Sequence, residues 1–308
     1  MKDQSLRNKG IVITGASSGF GKGAALGFAR AGANVVLAAR RDHLLEQLAQ
    51  ECRTLRVDAL AVPTDVSVLE DVSRLFEEAV SALGHIDVWV NNAGVGAIGR
   101  FQDIPMADHE QVIRTNLLGT LYGSWFAYRH FLGRRRGTLI NIASELGKTS
   151  VPYFSSYTAA KHGVVGFSAS LRQELDAMGA EDVSVCCIMP TAHDTPFFDH
   201  AANYSGHETQ PPSPLHDPQE VVDRILQLAA NPKDETIVGS DGYLKFAMHH
   251  LARNLAEAMG TKQMHRTVME EPPSAPTQPG AVQQPMPEGK GIRGGWRRRK
   301  EDRPKVKR

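Results

Sequence analysis

Gly10-Ile11-Val12-Ile13-Thr14-Gly15-Ala16-Ser17-Ser18-Gly19-Phe20-Gly21 decides the fold. Five apolar or β-branched residues run straight into a glycine-rich turn, which reads as a buried strand and its exit. Ala24, Ala25, Leu26, Phe28 and Ala29 then recur at helical spacing before Ala31-Gly32. Strand, glycine turn and helix in this order let a backbone approach a pyrophosphate at a helix N-terminus. The spacing is Gly-x-x-x-Gly-x-Gly rather than Gly-x-Gly-x-x-Gly.

The same rhythm continues outward. Strands are expected at Asn34–Ala39, Ala59–Pro63, Ile86–Val90, Leu139–Ser144, Val183–Met189 and Thr236–Gly239. Between them lie helical patterns at 42–56, 69–83, 107–131, 157–178 and 218–230. Strand alternating with helix implies a parallel sheet with helices on both faces. The stretch 107–131 is apolar nearly all round, apart from Asn116, and is expected to be one long buried helix.

Two sheet-edge positions bear on the nucleotide. The second strand ends at Arg40-Arg41, where an NAD-binding unit commonly places an acid for the adenosine ribose. An acid repels a 2′-phosphate, whereas arginine can fork onto one, so NADP(H) is expected in preference to NAD(H). The alternative is that both arginines are solvated at a strand end. Asp65, after the third strand, either faces the adenine edge or caps the next helix.

The fifth strand ends at Ser144, and a helix is expected from Tyr157, with Ser155 and Ser156 as candidate caps. Tyr157 and Lys161 are four apart and share one helix face. A phenol ionises near pH ~10, and a nearby ammonium should lower that value. A hydroxyl, a phenol and an amine could thus converge on a reacting oxygen, as carbonyl/alcohol interconversion requires. The same pair also occurs on ordinary helices, where Tyr packs and Lys is solvated.

The 308 residues are 41% hydrophobic and 22% charged, which suits a globular protein. The net charge of +1 hides an asymmetry: Lys290–Arg308 holds ten Lys/Arg against two Asp/Glu. Cys52, Cys186 and Cys187 form no disulfide framework, which implies a reducing, cytoplasmic compartment. Met1–Gly10 has no secretory core, no run of about 18 apolar residues offers a membrane span, and no Cys/His cluster suggests a metal. The loop Thr191–Pro218, rich in Pro, His, Ser and Asp, is expected to cover a substrate. Residues 244–268 read as a C-terminal helical extension, with His249, His250, Arg253 and Lys262 on its polar side. Residues 269–308 read as a disordered Pro-rich and basic tail. That tail is either solvated or reaches nucleic acid, anionic lipid or an acidic partner.

Together, Thr14-Gly15-x-x-x-Gly19-x-Gly21, Asn91-Asn92-Ala93-Gly94, Asn116, Ser144 and Tyr157-x-x-x-Lys161 resemble the short-chain dehydrogenase/reductase family over roughly residues 8–240. The resemblance implies a single Rossmann-like α/β domain over 1–243, with seven parallel strands ordered 3-2-1-4-5-6-7 and no separate substrate domain. It implies Tyr157 as acid/base, Lys161 on the nicotinamide ribose, Ser144 on the substrate oxygen and Asn116 positioning a water in a proton relay. Cofactor contacts carry over to Gly15, Ser17, Ser18, Gly19, Phe20, Gly21, Arg40, Asp65, Val66, Asn92, Ala93, Gly94, Pro190, Thr191 and Thr195, besides Tyr157 and Lys161. Thr191 stands where the family usually has glycine. A homodimer or homotetramer through 107–131 and 157–178 is also implied. The expected activity is NADP(H)-dependent hydride transfer to or from a carbonyl or secondary alcohol. The alternative is a non-catalytic NADP(H) sensor or scaffold that uses its basic tail.

Overall fold

The computed structural model describes residues 4–301. Its centre is a seven-stranded parallel sheet: β1 Gly10–Thr14, β2 Asn34–Ala39, β3 Ala59–Pro63, β4 Val88–Asn91, β5 Gly137–Ile142, β6 Val183–Pro190 and β7 Glu235–Val238. The order is β3-β2-β1-β4-β5-β6-β7, as expected. Pairing is in parallel register throughout, for example Val12 with Val36 and Trp89, and Ile140 with Val90 and Cys186.

Alternate strand residues feed two cores. Ile11, Ile13, Val35 and Leu37 pack against helices α1 Gly19–Arg30 and α2 Asp42–Arg53. Val12, Val36, Trp89 and Leu139 pack against α3 Leu69–Leu83, α5 Gly119–Arg134 and α6 Ser155–Met178. Both faces are covered, so the strands read as continuous apolar runs rather than alternating ones. Each fully buried Leu, Ile or Val side chain contributes about 1.5–3 kcal/mol.

One polar ladder crosses the second core. Asn91 donates to Ser124 Oγ at 3.0 Å and to Asn141 Oδ1 at 2.9 Å, and Asn141 donates to Ser168 Oγ at 3.0 Å. Trp89 Nε1 donates to Asn91 Oδ1 at 2.7 Å. This satisfied chain ties β4 and β5 to α5 and α6, fixing the helices that carry the candidate catalytic groups. Cys52, Cys186 and Cys187 are free and buried; burial pushes each thiol up to about 11, which makes them packing groups.

Several elements differ from expectation. The stretch 107–131 is not one helix: α4 Met106–Ile113 passes through a π turn, Arg114–Leu118, into α5. A π turn inserts an extra residue per turn and is common at functional sites; Asn116 sits in it. Phe154, not a serine, precedes α6, and the Ser156 hydroxyl has no partner, so neither Ser155 nor Ser156 caps the helix. The extension is two helices, α8 Gly242–Leu251 and α9 Arg253–His265, broken where Ala252 leaves helical dihedrals; α7 is Gln219–Ala230. Arg253 and Lys262 are exposed, whereas the side chains of His249 and His250 lie outside the described residues.

The largest difference is the tail. Residues 271–299, expected to be disordered, lie against the domain, and Val282 is buried with Val95, Ala97 and Ala202. Antiparallel bridges join Asn203 to Gln278 and His207 to Ser274. The segment lacks the apolar residues to form a core, but its backbone finds partners on a core built by others. Residues 302–308 lie outside the described residues.

Candidate active site

The carboxyl ends of the strands form one edge, and along it lies a cavity of about 450 Å³. Ligands of open α/β sheets bind at this edge. All but two of the expected site residues line the cavity. The exceptions are Gly21 and Asn116.

The glycine turn is shaped by close approach. Gly15 and Gly19 have φ of 67° and 56°, a region that favours glycine. A Cβ on Gly15 would lie 2.7 Å from Ala93 Cα, and one on Gly21 would lie 2.4 Å from Gly15 O. Gly21 thus serves the turn from behind. Thr14 Oγ1 receives the amides of Asn92 and Ala93 at 3.0 and 3.2 Å, and Asn92 Nδ2 donates to Thr14 O at 2.9 Å. These bonds seat the Asn92-Ala93-Gly94 corner beside the turn that opens α1, whose N-terminal N–H groups and helix dipole favour an anion.

At the far side of that turn, Arg41 donates to Ser17 Oγ at 3.1 and 3.0 Å and to Ser18 Oγ at 2.9 Å. Arg40 lies beside it, and burial lowers both guanidinium pKa values, with Asp65 pulling that of Arg40 back up. Asp65 Oδ1 receives Ser67 N at 2.9 Å and Ser67 Oγ at 2.7 Å. Its carboxylate therefore makes an Asx turn ahead of α3 while still lining the cavity.

At the other end, Ser144 leaves β5 and its Oγ accepts from Leu146 N at 3.2 Å. Tyr157 and Lys161 project from the first turns of α6. Lys161 Nζ, almost fully buried, donates to Ile142 O at 2.7 Å and lies 5.6 Å from the Tyr157 ring centre. Asn116, fully buried, exchanges two 2.8 Å bonds with Val95, donating from Nδ2 to its carbonyl and accepting its amide on Oδ1. It braces the cavity wall from behind rather than lining it.

The titration of the pair departs from expectation. Burial pushes the Tyr157 phenol up to about 12; its hydrogen bond with Ser144 works against this and Glu145 adds to it. Burial pushes the Lys161 amine down to about 8. Desolvation thus moves both groups toward their neutral forms and outweighs any pull of the ammonium on the phenol. Near neutrality Tyr157 holds its proton and can donate it.

The short chain dehydrogenase family profile matches residues 9–204, more than half of the chain. The chain belongs to the short-chain dehydrogenase/reductase family. It is 36% identical over 286 residues to the uncharacterized oxidoreductase YxnA of Bacillus subtilis, covering 92% of this chain and 80% of that protein. It is also 36% identical over 191 residues to the 11-beta-hydroxysteroid dehydrogenase-like 4A protein of Arabidopsis thaliana, covering 61% of this chain and 62% of that one. Among solved structures, a short-chain dehydrogenase/reductase from Burkholderia phymatum in complex with NAD shares the fold. That match has a TM-score of 0.73 and 24% identity over 82% of this chain and 96% of that one. An alcohol dehydrogenase from Thermococcus sibiricus, complexed with 5-hydroxy-NADP, has a TM-score of 0.64 and 25% identity over 74% and 95%.

As a short-chain dehydrogenase/reductase, the chain departs from its family at Thr191, and the structure shows how. A Cβ on Gly239, whose φ is 122°, would lie 1.9 Å from Thr191 Oγ1, and one on Gly242 would lie 2.9 Å from its Cγ2. Two downstream glycines make room for the branched side chain. Thr191 N still donates to Val238 O at 2.9 Å, so the strand end keeps its path. Thr195 faces the glycine turn across the groove, its Cβ 3.8 Å from where a Cβ of Gly19 would stand.

Sequence reading missed other residues of the cavity. His193, buried, donates from Nδ1 to Thr191 O, 2.9 Å away, and its Nε2 has no partner. From α9 come Met259, Gln263 and Met264, and from the tail Ala281, Pro285 and Met286. Helical spacing could have flagged the methionines; nothing in the sequence flags the tail. Val95, Leu146, Val151 and Phe154 also line the cavity, while Phe101 is exposed. No helix among the described residues is long and apolar enough to cross a membrane, and no cluster of metal-binding side chains occurs among them.

Proposed function

We propose that this chain is an NADP(H)-dependent oxidoreductase that interconverts a carbonyl and a secondary alcohol, with Tyr157 as the acid/base. The observation that carries the reading is the arrangement of Ser144, Tyr157 and Lys161 at one end of a cavity whose other end holds Arg40 and Arg41 beside the glycine turn. The floor fits a dinucleotide: a Cβ at Gly15 would fill the space against Ala93, and the start of α1 presents backbone amides. When bound there, the nicotinamide supplies the hydride.

The chain's own groups do the rest. Ser144 Oγ and Tyr157 Oη hold the substrate oxygen between them. Tyr157, protonated near neutrality, gives its proton to that oxygen as negative charge develops during reduction. Lys161 hydrogen-bonds the nicotinamide ribose, and Asn116, in its π turn, fixes Val95 at the cavity wall. Arg40 and Arg41 take the 2′-phosphate, which gives preference for NADP(H) over NAD(H). Val151, Phe154, Phe198 and Met264 make the substrate end apolar, so a bulky apolar carbonyl is the expected substrate; the hydroxysteroid dehydrogenase name of the Arabidopsis relative agrees with that class. The protein works in the cytoplasm as a homodimer or homotetramer through α5 and α6, where Trp125 is exposed under Arg129.

The test is oxidation of NADPH with a panel of apolar ketones and aldehydes. Turnover is expected, and Tyr157→Phe should abolish it while leaving NADPH binding intact. Tight binding without consumption on any of the panel would overturn the catalytic reading.

A further inference from the structure

The tail does more than fold back; it crosses the groove. Ala281, Val282 and Gln283 all present their carbonyls to Arg40, the last two at 3.3 and 3.1 Å. Met286, Glu288 and Gly289 present theirs to Arg41 Nη1 at 3.3, 2.8 and 3.3 Å. Gly291 O then receives the amide of Gly19, in the glycine turn itself, at 3.0 Å. Both ends of the crossing are anchored. On the near side Ala281 N donates to His200 O at 2.7 Å. On the far side Arg293 pairs with Asp217 at 2.8 Å, Trp296 N donates to Asp194 Oδ1 at 2.8 Å, and Arg299 pairs with Asp199 at 2.9 Å. The cavity lies between this crossing and the strand ends, with Ala281, Pro285 and Met286 in its lining.

We propose that residues 280–296 are a strap over the dinucleotide groove, and that NADP(H) enters and leaves only when the strap lifts from Gly19, Arg40 and Arg41. This rests on reading the groove as the cofactor site. The contacts the strap makes are main-chain carbonyls on two guanidiniums and one amide. These donors are the ones a phosphorylated dinucleotide would draw on. Among the described residues neither arginine has a carboxylate within ion-pair distance, so each bonds only to neutral oxygens of the strap and of Ser17 and Ser18. A phosphate adds a full negative charge and can take a guanidinium through two parallel bonds, which neutral carbonyl oxygens of the strap do not match in charge. The strap therefore holds the arginines in place yet yields them to phosphate. Because the acceptors are backbone carbonyls, the hold does not depend on tail side chains, whereas the anchoring does in part: the Arg293 and Arg299 side chains pin the far end together with the Trp296 amide.

Two variants test this by stopped-flow fluorescence of NADPH binding and release. One chain ends at Gln278. The other is full length with Arg293→Ala and Arg299→Ala, which removes the two ion pairs of the far anchor without touching the groove. Association and dissociation rates should both rise, about tenfold or more for the truncated chain and several-fold for the anchor variant. If the truncated chain does not fold, the anchor variant alone decides. NADPH rates within twofold of the full chain in every folded variant would overturn the strap while leaving the cofactor reading standing. Failure of the full chain and both variants to bind NADPH or NADH would overturn the cofactor reading, and the strap with it.

Discussion

Replacing Lys161 by methionine should remove a pH dependence of stability that the buried amine imposes on the folded protein. The amine is buried, with a pKa of about 8 against an ordinary 10.5. At ~1.36 kcal/mol per pH unit, that depression is worth about 3 kcal/mol against the charged form. The sign follows from proton counts. Between pH 8 and 10.5 the unfolded lysine is protonated and the folded one is not, so the unfolded state binds more protons and stability rises with pH. Below pH 8 the whole penalty weighs on the folded protein. Methionine of similar length removes that penalty but leaves Ile142 O without the 2.7 Å bond from Nζ, a loss of about 1–3 kcal/mol for a buried acceptor. At pH 7 the variant should therefore match the wild type or exceed it by up to about 2 kcal/mol, although it should be inactive. On raising the pH to 9.5 the wild type should gain about 2 kcal/mol relative to the variant. Tyr157, with a pKa of about 12, titrates above this range in both proteins. Urea denaturation at four pH values between 7 and 9.5 reads the difference directly. A constant difference across that range, or a variant less stable by more than about 3 kcal/mol at pH 7, would refute the claim that burial lowers the pKa of the amine.

Three further outcomes are expected. Gly239→Ala places a Cβ against Thr191 Oγ1 at a φ of 122°, so it should lose about 2–4 kcal/mol by denaturant titration, and adding Thr191→Gly should recover part of that loss if the two positions are coupled through this contact. Asn141→Leu leaves the Asn91 amide and the Ser168 hydroxyl short of a partner inside the second core, and should cost about 2–4 kcal/mol, read as a lower urea midpoint with an unchanged slope. Arg41→Ala removes the guanidinium that braces Ser17 and Ser18, and the ratio of kcat/KM for NADPH over NADH should fall about ten- to a hundredfold; an unchanged ratio would show that selectivity lies elsewhere.

What the sequence made legible were features whose cause is local. Gly15 is readable because a turn with positive φ pressed on Ala93 leaves few other choices, and Tyr157 with Lys161 is readable because four residues on a helix bring two side chains to one face. What it concealed depends on distant partners. The amine was expected to tune the phenol, but spacing carries no information about desolvation, and burial set both pKa values. Thr191 reads as an obstacle until Gly239 and Gly242, about fifty residues downstream, are seen to leave it room. The tail is the sharpest case. Composition correctly says that residues 271–299 cannot build a core, and the expectation of disorder is drawn from this. That step assumes a segment must be ordered by its own side chains. Here the domain already holds two arginines and a glycine-turn amide at its surface, and any backbone can answer such donors with carbonyls. Order in that segment is written in Arg40 and Arg41, some 240 residues before it.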